Sequence, residues 1–147
     1  MFNSYMELAF EEAQSAADRG EVPVGAVLVK DNQVLARDGN RTLELRDPTA
    51  HAEMLIIRAG AQTLASERLT GCDLYVTLEP CPMCAAAISF ARIRRLYYGA
   101  QDIKAGGAES GVSFFSHPSC HHAPEVYGGL GALRAAALLK EFFEQRR

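Results

Sequence analysis

The sequence predicts an α/β protein with a central mixed sheet flanked by helices. Two observations carry this expectation. Patterns run in the order helix, hairpin, helix, strand, helix, strand, and the strand patterns are short apolar runs bounded by turn residues that need cover on their faces. At 147 residues a single domain, 1–147, accounts for the chain, and a domain of this size buries about 68–70% of the surface its unfolded chain exposes.

Each element has its own warrant. Ser4-x-x-Glu7 has the form of a capping box, and Met6, Ala9, Phe10, Ala13, Ala16 and Ala17 recur at helical spacing up to Gly20. Val24 to Val29 is a nearly continuous apolar run, Asp31-Asn32 suits a two-residue turn, and Val34-Leu35-Ala36 leads back, which reads as a buried hairpin. Asp38 to Thr49 is polar with Gly39, Asn40 and Pro48, so a loop is expected there, delivering the chain to a helix over about Ala50 to Ala59 with His51 at its start. Asp73 to Leu78 reads as a strand, Pro82 as a first-turn proline, Met83 to Ala91 as a helix and Arg95 to Gly99 as another strand. From Gln101 to Gly131 the chain is rich in Gly, Ser, His and Pro, and irregular, substrate-facing structure is expected, with a possible strand at Glu125-Val126-Tyr127. A last helix places Ala135, Leu138, Leu139, Phe142 and Phe143 on one face, with Arg146-Arg147 near the negative end of its dipole.

Composition excludes several functions. The chain is 48% hydrophobic and 22% charged, and no apolar run approaches the roughly 18 residues of a membrane span, so no membrane role is expected. Its N-terminus has neither a basic start nor a long apolar stretch with a cleavage site, which leaves the cytoplasm as the expected compartment. A net charge of −3 argues against a globally basic nucleic-acid binder, although a local positive patch suffices for such binding.

The chemistry concentrates in His51-Ala52-Glu53 and Pro80-Cys81-Pro82-Met83-Cys84. Cys81 and Cys84 lie one helical turn apart at a helix start, and His51 lies at another, where the positive end of the dipole favours a thiolate and a neutral imidazole. Three such ligands leave a fourth position open, the catalytic zinc arrangement, whereas structural sites close with four protein ligands. One zinc per chain is therefore expected on His51, Cys81 and Cys84, with Glu53 beside the metal as general base. A structural zinc or a redox Cys-x-x-Cys would account for the cysteines but not for the His-x-Glu spacing. Glu53 alone would read as a solvated helix carboxylate. The four cysteines could also form two disulfides, but the metal spacing and the lack of an export signal oppose this, so Cys72 and Cys120 are expected as free thiols. His117, Cys120, His121 and His122 lack a regular ligand spacing for a second site.

The His-x-Glu and Pro-Cys-x-x-Cys pattern resembles that of the zinc nucleobase deaminases. Glu21 to Val27, Asp47 to Glu53, Leu74 to Cys81 and Tyr98 to Asp102 resemble the bacterial tRNA-specific adenosine deaminases, and the resemblance covers nearly the whole chain. It implies a three-layer cytidine-deaminase-like fold with a five-stranded sheet whose fifth strand lies near Val126. It also implies zinc-dependent hydrolytic conversion of adenosine to inosine at the wobble position, position 34, of a tRNA anticodon stem-loop, by a homodimer. Glu53 then carries a proton to the ring nitrogen and on to the departing amine. Carried over residue by residue, Asn40 matches the amide that reads the target base, Asp102 the contact to the ribose 2′-OH, Lys104 a phosphate contact and His122 a histidine near the nucleotide wall. Gln101 stands where the family commonly carries Arg, and Cys120-His121 departs from the commoner pattern.

Two other functions compete. A guanine deaminase acting on the free base shares both active-site motifs, so only the flanking segments, Pro23 to Ala26 and Gly99 to Gly106, favour tRNA. In a zinc-stabilised RNA-binding module, by contrast, Glu53 would be incidental.

Overall fold

The computed structural model describes residues 5–146. In chain order these form α1 (Met6–Asp18), β1 (Gly25–Lys30), β2 (Gln33–Gly39), α2 (Ala52–Leu64), β3 (Asp73–Leu78), α3 (Pro82–Phe90), β4 (Arg95–Ala100), a short 3-10 turn (Phe114–Ser116), β5 (Glu125–Tyr127) and α4 (Ala132–Glu144). The strands make one mixed sheet in the order β2-β1-β3-β4-β5. β1 pairs antiparallel with β2 and β3, and β3-β4-β5 are parallel. The five-stranded sheet flanked by helices is the expected architecture, and β5 falls on the three residues the sequence singled out. Ser4, expected to cap the first helix, and Arg147, expected near the last helix's end, lie outside the described residues.

The apolar runs of β1, β3 and β4 are buried on both faces, and successive side chains point to opposite sides. Ala26, Leu28, Leu74, Val76, Leu96 and Tyr98 pack with Ala52 and Ile56 of α2 and Ile88 of α3. Val27, Val29, Tyr75 and Tyr97 pack with Met6, Ala9 and Phe10 of α1 and Ala135 of α4. Three layers result, with the sheet in the middle. Asp31 and Asn32 both take positive φ, at 50° and 61°, the conformation that a two-residue turn between right-twisted strands requires.

The structure moves several expected boundaries. β2 continues past Ala36 through Arg37 and on to Asp38 and Gly39, where the loop was expected to begin, because these residues sit on an edge strand and still pair with Val27, Ala26 and Gly25. Arg37 bonds Glu11 and Glu12 of α1, each at 2.7 Å. α2 starts two residues later than expected and runs five residues further, to Leu64. The helix passes through Gly60 because it approaches the sheet there so closely that a Cβ would collide with Leu28. On α4, Ala135 and Phe142 are buried, but Phe143 is 51% exposed, since adjacent helical residues lie about 100° apart and cannot both face the sheet. Among the described residues no helix is long and apolar enough to cross a membrane.

Candidate active site

Two helix starts meet at one end of the sheet. His51 is the N-cap of α2, in extended conformation, and Cys81 is the N-cap of α3 with Pro82 at the first helical position. Neither side chain caps its own helix, so both are free to point at a common centre. For α2 the cap comes from elsewhere in the chain: Asn40 Oδ1 accepts the Ala52 N–H at 2.8 Å. Asn40 is itself held through its backbone, whose N–H bonds Val24 O at 3.1 Å and whose carbonyl accepts from Arg19 at 3.2 Å.

His51 Nδ1 lies 3.6 Å from Cys81 Sγ and 3.6 Å from Cys84 Sγ. All three donor atoms fall within 4.8 Å of one another, and among the described residues theirs is the group of three fit to hold a metal ion. A sulfur at about 2.3 Å and a nitrogen at about 2.0 Å from one tetrahedral zinc stand roughly 3.6 Å apart, so donor type and spacing both fit that ion. The Cys81 thiol is held well below its usual range by a hydrogen bond from Cys84 and by His51, and the same sharing drives the Cys84 thiol upward. His51 is raised by its bond to Cys81. Glu53, at the second residue of α2, is 3% exposed, and burial pushes its carboxyl up to about 7. An acid of that strength can both hold and release a proton near neutrality.

His51, Glu53 and Cys81 line a cavity of about 240 Å³ together with Asn40, Asp102, Val24 and Leu78. It adjoins an open groove of about 590 Å³ that shares Val22, Leu78 and Asp102 and continues past Ile103 and Lys104 to Leu139 and Phe143 of α4. Of the expected substrate-binding residues, the structure brings Asn40 and Asp102 to the cavity and Lys104 to the groove. One lone pair of Asn40 Oδ1 is taken by α2, and its amide N–H₂ is available as a donor toward the cavity. His122 is not among the cavity residues; its ring nitrogen bonds Ile93 O at 2.8 Å and its carbonyl accepts from Ser89 at 2.6 Å, fastening the 117–122 segment to α3 and the turn before β4. Gln101 donates to Ser110 Oγ at 2.9 Å. All four cysteines are unpaired thiols.

Sequence reasoning gave no role to two further buried carboxylates, Glu21 and Glu79. Glu21 accepts the backbone N–H of Leu43 at 3.2 Å and of Glu44 at 2.9 Å, holding the loop that follows Asn40. Glu79 takes the Asp102 N–H and three donors from residues 109 and 110. Burial pushes Glu79 up, but these bonds outweigh it and hold the carboxyl below its ordinary value. The signal was present: an acidic residue between an apolar strand and Pro80-Cys81 has no solvent to face.

A family model for the cytidine and deoxycytidylate deaminase zinc-binding region matches residues 2–100. The tRNA-specific adenosine deaminase of Agrobacterium fabrum is 65% identical over 143 residues, covering 97% of this chain and 94% of that one. A structure solved in a study of A-to-I editing by tRNA:A34 deaminases at the wobble position of transfer RNA matches with a TM-score of 0.91 and 67% identity, over 92% of this chain and 98% of that one. The guanine deaminase of Bacillus subtilis matches with a TM-score of 0.67 and 32% identity, over 99% of this chain and 94% of that one.

Proposed function

The chain belongs to the cytidine and deoxycytidylate deaminase family, and from that premise we propose that it is a tRNA-specific adenosine deaminase. It adds water to the adenosine at the wobble position of tRNA, position 34, leaving inosine in the tRNA and releasing ammonia. The observation that carries the chemistry is the His51, Cys81 and Cys84 donor set within 4.8 Å beside the buried Glu53. The full-length likeness to a tRNA-specific adenosine deaminase, much greater than that to a guanine deaminase, carries the substrate.

In this reading one zinc per chain is held by His51, Cys81 and Cys84, in a single deaminase domain spanning 1–147. Bound there, zinc supplies the Lewis acidity that makes water a nucleophile at neutral pH. Glu53 takes one proton of the attacking water and passes it to the purine ring nitrogen beside the amine, then takes the second from the newly added hydroxyl and gives it to the amine, which leaves as ammonia. Its burial suits this shuttle, because a carboxyl poised near neutrality gives and receives at comparable cost. Asn40 donates its amide N–H to a ring acceptor and so orients the base. Asp102, at the mouth of the cavity, contacts the ribose 2′-OH, and Lys104 lies where the groove would carry a backbone phosphate.

The groove beyond Asp102 supports the same choice, since a free base alone would leave it empty. We further propose that the protein works in the cytoplasm as a homodimer, for which Phe90, 74% exposed at the end of α3, is the kind of apolar side chain a subunit contact covers. The deciding experiment offers zinc-loaded protein an adenosine-containing anticodon stem-loop, free adenosine and free guanine. Inosine in the stem-loop with little turnover of either small molecule is the expected result. Rapid conversion of guanine to xanthine with the stem-loop untouched would replace this reading by the guanine deaminase alternative.

A further inference from the structure

Glu79 follows the last residue of β3, and its own N–H bonds Ala100 O on β4 at 2.8 Å. The residue is 2% exposed. Its Oε1 accepts the Asp102 N–H at 3.0 Å and the Ser110 hydroxyl at 2.8 Å. Its Oε2 accepts the N–H groups of Glu109 and Ser110, both at 2.8 Å. A carboxylate has about four lone-pair sites, so these donors leave none for substrate, metal or proton transfer. Glu79 lines the same cavity as Glu53 and Cys81, yet its chemistry is already spent.

The segment it grips is pressed against the metal-ligand stretch by independent contacts. Gly107 N–H bonds Pro80 O at 2.8 Å. A Cβ at Gly106 would come within 2.6 Å of Glu79 Cδ, and one at Gly107 within 2.5 Å of the Pro82 backbone, so only glycine lets the two segments lie this close. Within the segment, Asp102 closes its own turn: its carbonyl accepts the Gly106 N–H at 2.8 Å and its Oδ1 the Ala105 N–H at 3.0 Å. Asp102 is therefore rigid relative to Glu79, and Glu79 is two residues from Cys81.

We propose that Glu79 is a positioning residue for the deamination, a buried carboxylate that locks the 102–110 wall, and with it Asp102, in register with the metal-ligating Cys81. This rests on the substrate reading above for the assay and for the contact that Asp102 makes to the target nucleotide. The residue type follows from the donors: all four need an acceptor. In Glu79→Gln an N–H₂ must face either Asp102 N–H or the pair at Glu109 and Ser110, so an isosteric change breaks the lock without opening a cavity. A displacement near 1 Å away from the chemistry can cost about 100-fold in rate.

The test is a double-mutant cycle of Glu79→Gln and Asp102→Asn on the zinc-loaded protein with the stem-loop substrate, together with amide hydrogen exchange in the absence of substrate. Glu79→Gln should retain one zinc and lower kcat/KM by about 10- to 100-fold. Because Glu79 acts through Asp102, adding it to Asp102→Asn should cost at most a few-fold more, a non-additivity that a general loss of stability would not produce. Exchange at residues 102, 109 and 110 should quicken at least tenfold while the amides of α1 keep their protection. Full additivity in the cycle, or unchanged exchange at those three amides, overturns the proposal. Should Glu79→Gln fail to fold, Ser110→Ala, which removes one donor of the four, takes its place in the same cycle and is judged by the same criterion. A wild-type protein inactive on the stem-loop would sink the substrate reading instead, and the exchange result alone would then decide on the lock.

Discussion

Glu53 and the three ligands divide the work of the site by position. Cys81 and His51 occupy N-cap positions, where the positive helix ends favour deprotonated ligands, while Glu53 is buried at the second position of α2 and is proposed as the proton carrier and not as a ligand. Glu53→Gln should therefore keep zinc and RNA affinity while slowing the reaction by at least the ~10²-fold typical of a lost general acid-base group. Loss of zinc in that variant, measured by metal analysis, would move Glu53 into the ligand set. Cys84→Ala should lose zinc and Cys120→Ser should not, because Cys120 lies against Ser89 and the His122 carbonyl, away from the donor cluster. Retained zinc in Cys84→Ala would refute the assignment.

At the scale of elements, the site depends on how tightly α2 is seated on the sheet. Gly60 sits mid-helix, where replacement by alanine normally gains about 1 kcal/mol of helix propensity. Here the added methyl collides with Leu28, and overpacking of a core costs about 1–3 kcal/mol. Gly60→Ala should thus lower stability in urea unfolding. In a Leu28→Ala background, where the obstructing side chain is gone, the same change should become stabilising. A stabilising effect in the wild-type background would mean that α2 can lift from the sheet without cost.

Across the whole molecule, metal, fold and substrate are linked. Zinc would tie α2 to α3 through ligands that exist as a set only in the folded chain, so chelation should lower the Tm as well as abolish activity. Acid should act in the same direction, because protons compete for both thiolates and the imidazole: zinc occupancy should fall as pH drops, which a chromophoric chelator reports. Persistence of full occupancy in acid would argue against thiolate ligation. The groove from Asp102 to Phe143 gives the substrate prediction its scale, since binding energy from remote parts of a substrate is what positions its reacting end. Replacing the target ribose by deoxyribose should slow the reaction, and Asp102→Asn should narrow that gap. An unchanged ratio between the two substrates in Asp102→Asn would remove Asp102 from ribose recognition.

Local pattern was enough for the elements and for the donor group of His51, Cys81 and Cys84. The apolar runs of β1, β3 and β4, the paired turn residues Asp31-Asn32, and the cysteine spacing at a proline-marked helix start each express a constraint acting within a few residues, so the linear sequence contains it. The Arg37 and Asp38 extension of β2 was hidden because an edge strand needs no apolar signature, and the passage of α2 through Gly60 because its cause is a side chain 32 positions earlier. The orientation of Asn40 depends on an N–H twelve residues away, and the role of Glu79 on donors 23 to 31 residues away. A hydrogen bond between distant segments leaves no periodicity in the chain. Only the tertiary structure could decide which buried polar groups line the cavity with bonding capacity left and which are spent on holding its wall.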